Sequence, residues 1–462
     1  MTNACDKKKA ALALLLLLAG ALAGCAGKTE EGSGPAQTGG TGHTGQAGGP
    51  ADDADKPVMT EPITLTFYRF YAGLSDKEFD QFFVQPLKKK FPNVTLKPLY
   101  SGLTGPLSAE NIIAAGENPD LIYTSNYSLP IFKQLKLQQN LNDLIAKSGF
   151  DMKRFDPVIL DALAKYNDDG GVYAIPFSLN FAPLFYNKDI FDKFAVSYPK
   201  ELTTWDDIIE LQKKLVRSEG GVQYRGIVPP VAKQFGDQLA LSYADNKTKK
   251  ATLDTEAWRS VLDVVKRFYD VPGMLDGDKL PTDTKTFFTE QTSAMYTNWA
   301  DSALGNLTEL AEKGQPMNWD MTTYPSFASA PGIGRRVDFH LMMVSPTSKH
   351  KELVFDMIRY VTSEANQLEM TKNARMTALD NAGMKARFGE NLKVMQGKNL
   401  TAALKTKSAA VNPSDYDVPV SGLVNKAGTN VGTNKKDINT ALREAQEEAD
   451  KLIAAEAAKS SL

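Results

Sequence analysis

The stretch Asp168–Phe191, DDGGVYAIPFSLNFAPLFYNKDIF, decides how many bodies this chain contains. Gly170 and Gly171 turn the backbone into a short apolar strand, Val172 to Phe177. A polar, proline-containing passage follows from Ser178 to Pro183, and a second strand runs from Leu184 to Asn187. A strand continuing within one sheet does not tolerate proline in its middle, because the missing N–H breaks the ladder. Two readings are open at this point: a hairpin inside one domain, or a backbone leaving one sheet and entering another. The choice turns on whether the flanking sequence supplies two bodies.

Both flanks read as alternating strands and helices. On the N-terminal side Ile63–Phe70 is a strand and Asp76–Phe91 a helix with Pro86 near its end. Val94–Tyr100 is a strand, Ser108–Ala115 a helix and Leu121–Tyr123 a third strand. Helical crossovers between successive strands predict a parallel sheet with its binding loops at the C-terminal strand ends. Arg69, Tyr71, Thr124, Ser125 and Asn126 are then exposed candidates for a ligand cleft. On the C-terminal side a helix begins at Thr204, with Asp207 in its first turn and Trp205, Ile208, Ile209 and Leu215 facing inward. Helices over Lys233–Tyr243 and Thr255–Tyr269 follow, then a strand over Ser293–Ala300 that ends on Trp299. Met317–Phe327, with Trp319, Tyr324 and Pro325, is too broken for a long element. Val337–Val344 is a strand, Ser348–Thr362 a helix, and Arg375 lies in another crossing segment. Asp437–Ala457 reads as a solvent-facing helix with a narrow apolar stripe. A second α/β series is present, and it favours the crossing reading.

Bulk composition narrows the function classes. A chain of 462 residues is long enough for two or three domains with their own cores. The formal net charge of -2, with no basic run beyond the first ten residues, gives no electrostatic case for nucleic-acid binding. Cys5 and Cys25 both precede the folded region, so neither a disulfide nor a cysteine metal site is expected there. His43, His340 and His350 are widely spaced, which argues against a zinc enzyme or a histidine triad. No metal and no cofactor is expected.

The N-terminus carries an address. Lys7, Lys8 and Lys9 form a positive region, and the apolar run Ala10–Ala23 is short for a membrane span. Leu22-Ala23-Gly24-Cys25 resembles the bacterial lipoprotein processing box, which implies that residues 1–25 are a lipoprotein signal peptide with its lipobox cysteine, cleaved just before Cys25, which becomes the lipidated N-terminus. Residues 26–61, including GGTGHTGQAGGP at Gly39–Pro50, hold hardly any apolar side chain and read as a disordered tether.

Several separated stretches together resemble one family. Tyr173–Phe191, with PFSLNFAPLFYNKDIF, is similar to the central motif of the family 1 extracellular solute-binding proteins, the receptors of carbohydrate ABC importers. Asn118-Pro-Asp-Leu-Ile122, Ala294-Met-Tyr-Thr-Asn-Trp299 and Phe339–Glu369 match further pieces in order, although Glu290-Gln-Thr-Ser293 departs from the small and basic residues usual there. The resemblance spans roughly residues 63 to 456. It implies an α/β, two-lobe periplasmic-binding-protein-like fold, with discontinuous lobes joined by a multi-crossing hinge. One lobe would take residues 63–178 and 330–373, the other 183–318 and 378–456. It further implies a monomeric receptor, lipid-anchored at the extracellular face of the bacterial cell membrane, that traps a carbohydrate between its lobes and presents it to the transmembrane subunits of an ABC permease.

By the same resemblance the ligand would be met by Trp299, an aromatic platform, by Asn180 in the crossing and by Tyr71 after the first strand. Asn126 and Tyr127 occupy the next loop. Thr124 stands where family members with a well-defined oligosaccharide grip carry tryptophan, so a maltodextrin-like pattern does not transfer. Trp319 and Tyr324 would line the cleft from the return segment, and Arg375 would donate paired hydrogen bonds to a sugar or an acidic substituent. The rival classes are a receptor for another solute such as a peptide, and a secreted carbohydrate-active enzyme. The enzyme would need two carboxylates flanking a cleft, with Asp120 and Asp301 as nominees.

Overall fold

The computed structural model describes residues 61–101, 108–167 and 169–459. The expected signal peptide, Cys25 and nearly all of the tether lie outside the described residues. Strands are numbered in chain order. Ile63–Phe70 (β1), Val94–Ser101 (β2), Leu121–Ser125 (β3), Ile175–Asn180 (β4) and Asp338–Val344 (β13) form one five-stranded sheet in the order β2-β1-β3-β13-β4. Leu184–Asn187 (β5), Arg217–Glu219 (β6), Val222–Val228 (β7), Ser293–Thr297 (β10) and Trp319–Thr322 (β11) form a second, in the order β11-β5-β10-β7-β6. Two small pairs complete the set: Ala244–Asp245 (β8) with Lys250–Ala251 (β9), and Ile333–Arg336 (β12) with Lys407–Ala409 (β14).

The opening stretch crosses between the sheets. β4 belongs to the first and β5 to the second, with only Phe181, Ala182 and Pro183 between them. The crossing is shorter than the sequence implied, because Ser178 and Asn180 stay paired in the first sheet, opposite His340 and Asp338. A second passage leads from β11 through β12 to β13. A third follows the helix Glu364–Lys372, where Leu179 donates its N–H to the Met376 carbonyl.

Neither sheet is purely parallel. β1 runs parallel to β2 and β3, as the helical crossovers dictate, but β13 lies antiparallel to both β3 and β4. In the second sheet β10 is parallel to β7 and antiparallel to β5. β13 reaches the sheet from a distant part of the chain rather than through a βαβ unit, so the handedness of such units does not fix its direction.

Each sheet has its own core. Around the first, Phe67 sits 4.9 Å from both Phe79 and Phe83, and Phe83 stacks on Phe177 at 4.7 Å. Phe79 and Phe83 lie on one run of helical residues, Asp76–Lys90, held at its start by a capping box of Ser75 with Glu78. Pro86 is accommodated in the first turn of the segment Gln85–Lys90, after a five-residue π-helical stretch at Asp80–Val84. Around the second sheet, Trp205 meets Phe235 at 4.8 Å and Tyr324 at 5.2 Å, both edge-to-face.

A helix not read from the sequence, Asp417–Gly432, packs into this second core together with the C-terminal helix Ile438–Lys459. The C-terminal helix is accordingly less solvent-facing than expected: Leu442, Ala449 and Ile453 are buried. Gly428 permits the close approach between Asp417–Gly432 and the helix Ala232–Gln238, since a Cβ there would stand 2.7 Å from that of Ala232.

Candidate functional site

Strand register places the binding elements. In the first sheet the C-terminal ends of β1, β3 and β4 and the start of β13 lie together, which gathers Tyr71, Asn126, Tyr127, Asn180 and Asp338. In the second, the Leu184 end of β5 pairs with Thr297 and Thr322, so the loops after β10 and β11 share the end at which the chain enters from the first sheet. Two polar constellations occupy this region.

The first centres on Arg375. Its side chain is 2% exposed and pairs with Glu78 at 2.8 Å. Its guanidinium also donates to the Tyr123 hydroxyl at 3.3 Å, to His340 Nδ1 at 3.0 Å and to the Gly73 carbonyl. Asp301, in the first turn of the helix Ala300–Glu312, brings its carboxylate within 3.7 Å of both Arg375 and His340 Nε2. Because a guanidinium has no acceptor, His340 Nδ1 must accept, and the ring proton sits on Nε2 facing Asp301. Burial, reinforced by the Arg375 charge, depresses the His340 pKa to about 4. Burial pushes the Asp301 carboxyl up, with Arg375 opposing it. Asn180 and Arg375 line the same small cavity beside Ser178 and Asp301. Thus two of the expected ligand residues come together, but Arg375 is already fully engaged by protein groups.

The second constellation surrounds Tyr127 and Trp299. Tyr127 hydrogen-bonds Ser421 of the helix Asp417–Gly432 at 2.9 Å, joining the loop after β3 to an element of the second core. Lys233 and Arg336 lie 4.7 and 4.6 Å from the Tyr127 ring centre. Lys233 and Asp237, one turn apart on Ala232–Gln238, pair at 2.6 Å, and Arg336 approaches Asp237 at 3.6 Å. Burial works against ionisation of Asp237, but Arg336 and Lys233 outweigh it and hold the carboxyl at about 2. Burial lowers Lys233 to about 8, with Arg336 adding to the effect. Burial raises Asp417 to about 6, and its carboxylate accepts from Ser414 at 2.5 Å. Trp299 is half-buried at the edge of the second core, and the Arg335 guanidinium stands 3.8 Å over its ring.

The remaining candidates are dispersed. Tyr71 is 53% exposed and holds a left-handed backbone, φ 43. Asn126 is fully buried, where it accepts from the Phe339 N–H at 3.0 Å and donates to the Tyr166 hydroxyl and the Val337 carbonyl. It therefore ties β3 to the start of β13. Trp319 packs against Phe185 at 5.8 Å and Tyr324 against Trp205, both in the second-sheet interior and almost fully buried. Of the five positions expected to be exposed at strand ends, Tyr71 alone is; Arg69, Thr124, Ser125 and Asn126 are buried. Arg69 folds back onto Asp76 at 2.8 Å and beneath the Tyr100 ring, and Thr124 donates to the Phe70 carbonyl. The polar groups of Thr124 and Asn126 are taken up by backbone and neighbours, which is what lets a polar strand end be covered, while the Arg69 Nε is buried without a hydrogen-bond partner.

The carboxylates nominated for catalysis have structural partners. Asp120 accepts from the Thr66 N–H and the Ser348 hydroxyl, at 2.9 and 2.6 Å, and Asp301 faces Arg375. Among the described residues no group of three or more His, Cys, Asp and Glu is placed to hold a metal ion. Sequence reading missed Lys233, Asp237, Arg335, Arg336 and Asp417. Arg335-Arg336 between two broken segments was the available signal, a charge pair with no amphipathic helix to expose it.

Two crossed α/β sheets with polar and aromatic loops gathered where the chain passes between them define a two-lobed ligand-binding protein. The chain belongs to the bacterial extracellular solute-binding proteins, whose family model matches residues 83–386. Solved structures of the same fold include an ABC substrate-binding protein from Listeria monocytogenes in complex with cycloalternan, 18% identical over 85% of this chain and 100% of that one, with a TM-score of 0.68. An ABC-transporter solute-binding protein from Thermotoga lettingae bound with α-D-tagatose is 16% identical, covers 84% of this chain and 99% of its own, and has a TM-score of 0.65. The GacH receptor of Streptomyces glaucescens, known unliganded and with acarbose, is 17% identical over 84% and 99%, with a TM-score of 0.62. Membership makes the chain a solute-binding protein rather than an enzyme.

Proposed function

We propose that this protein is the carbohydrate receptor of an ABC importer, that it is anchored through lipid on Cys25 at the extracellular face of the membrane, and that it hands its sugar to the permease transmembrane subunits. The observation that carries the reading is the placement of Trp299 and Tyr127. They lie on loops from opposite sheets, each partly accessible and each surrounded by hydrogen-bonding side chains. A pyranose presents a C–H face for an aromatic platform and hydroxyls for planar donors and acceptors, and this seam offers both. The saccharide ligands of similarly folded proteins support the same class.

Within this reading Trp299 and Tyr127 meet the sugar ring, Tyr71 closes from the first sheet, and Asn180, Asn126 and Arg375 hold the walls. Trp319 and Tyr324 act behind the surface, as packing that fixes the loops after β10 and β11. One lobe is built on the sheet that runs through Asn180 and β13, the other on the sheet that begins at Leu184, and sugar shifts them only by binding the closed arrangement better than the open one. The test is a thermal-shift screen of the purified protein against mono- and oligosaccharides, with peptides as the contrasting class. Saturable stabilisation by a saccharide is expected. If peptides raise the midpoint and no saccharide does, the substrate class is wrong.

A further inference from the structure

One cation in the second constellation differs from its neighbours. Lys233 and Arg336 share Asp237, at 2.6 and 3.6 Å. Arg375, in the first constellation, has Glu78. Arg335 has no carboxylate within ion-pair distance among the described residues. Its Nη1 donates to the Asn298 side-chain carbonyl at 3.3 Å, while its Nε, like that of Arg336, is buried without a hydrogen-bond partner. The planar face of the guanidinium rests on Trp299. Asp237 and Asp338 act on it only from beyond ion-pair distance. Desolvation lowers the Arg335 pKa, with Tyr324, Asp237 and Asp338 opposing it from a distance. A half-buried guanidinium with no carboxylate in ion-pair contact keeps the capacity to take an anion there.

Its location says what that anion is. Arg335 covers one face of the ring that the proposed function assigns to the sugar. A neutral pyranose stacking there either displaces the guanidinium, which then loses its aromatic partner and gains no anion, or is held off that face. A saccharide bearing a carboxylate meets neither penalty: its oxygens accept two parallel N–H bonds from the guanidinium fork while the pyranose takes the indole surface. We infer that the ligand is an acidic saccharide, one with a uronate carboxylate, and that Arg335 is the residue selecting it. This rests on the carbohydrate-receptor reading above and narrows it.

The experiment compares matched pairs: short homo-oligomers of glucuronate, galacturonate, mannuronate and guluronate, each beside the neutral oligosaccharide of the same ring and linkage. Affinities are measured by calorimetry on the wild-type protein and on Arg335→Gln, Arg335→Lys and, as a surface control, Arg387→Gln. At least one uronate is expected to bind more tightly than its neutral counterpart. Arg335→Gln should weaken that uronate by about thirtyfold or more, the usual consequence of removing one member of a desolvated charge pair. Arg335→Lys should fall between, because it keeps the charge and loses the fork, and Arg387→Gln should match wild type. Binding of neutral saccharides alone overturns the inference and leaves the carbohydrate receptor standing. Binding of no saccharide removes that reading and the inference with it. Should Arg335→Gln fail to fold, the wild-type pairs decide by themselves: equal affinity for a uronate and its neutral counterpart sinks the proposal.

Discussion

Replacing Arg375 by Gln should destabilise this protein more than almost any other single polar substitution, and the structure says why. The guanidinium is 2% exposed and faces Glu78 at 2.8 Å and Asp301 at 3.7 Å, whose side chains are 28% and 10% exposed. Removing one partner of a buried pair leaves the other charge uncompensated, at a cost of about 3–5 kcal/mol. Here Glu78 and the Gly73 carbonyl lose their donor while Asp301 loses its counter-charge, so the upper part of that range is expected. Asp301→Asn alone should cost far less, since burial already disfavours the charged form of Asp301 and the amide can still face Arg375. The double variant Arg375→Gln/Asp301→Asn should recover part of the single-variant loss, with a coupling of about 1–3 kcal/mol. The measurement is urea unfolding followed by tryptophan fluorescence and far-UV circular dichroism, with coincident transitions required before free energies are compared. An Arg375→Gln protein within about 1 kcal/mol of wild type, or a double variant no better than the single one, would refute the account of this cluster as a compensated charge network.

Two titrations pull stability in opposite directions. Burial, with Arg375 adding to it, depresses His340 from 6.5 to about 4, so its contribution is present above pH 6.5 and lost as pH falls through about 4. About 3 kcal/mol is at stake by the usual conversion, and His340→Gln should flatten the acid limb of a stability profile. Asp417 runs the other way. Burial raises it from 3.8 to about 6 against Arg336 and Lys233, so its contribution is complete below pH 3.8 and lost as pH rises through about 6. Asp417→Asn, which keeps an acceptor for Ser414, should therefore be more stable than wild type at pH 7 and equal to it near pH 3.5, as read by thermal melts across that range. Trp299→Ala should reduce sugar affinity about thirtyfold or more by calorimetry, as removal of an aromatic anchor does, while the unliganded melting midpoint changes by a few degrees; unchanged affinity removes Trp299 from the site.

The crossing at Phe181–Pro183 was legible because proline forbids a continuing ladder and because strand and helix signals recur on both sides of it. β1, β5 and the helix starting after Thr204 also read closely, since alternation and capping are local. The direction of β13 was not legible, as an antiparallel partner is chosen by tertiary contact and leaves no local mark. Nor was the helix Asp417–Gly432, whose Pro419 and three glycines lower every propensity signal; the proline is tolerated in the first turn and Gly428 serves packing rather than flexibility. Missing that helix hid the site's charge. Lys233 and Asp237 have the spacing of an ordinary solvent pair, and only the helix packed over them makes the pair a buried one.

The hydrogen bond between Tyr127 and Ser421 joins residues 294 positions apart. That separation has a consequence in time. A chain emerging N-terminus first can complete the first three strands of its first sheet, and expose Tyr127, long before the helix bearing Ser421 exists. The Lys233–Asp237 pair on Ala232–Gln238 likewise waits for the last tenth of the chain to cover it. Folding dominated by such distant closures is slow, because the entropy of the loop is lost before any contact rewards it. On the proposed site, ligand recognition is consequently among the last properties this protein acquires, and a truncated or stalled chain is expected to be silent toward its solute even with both sheets partly assembled.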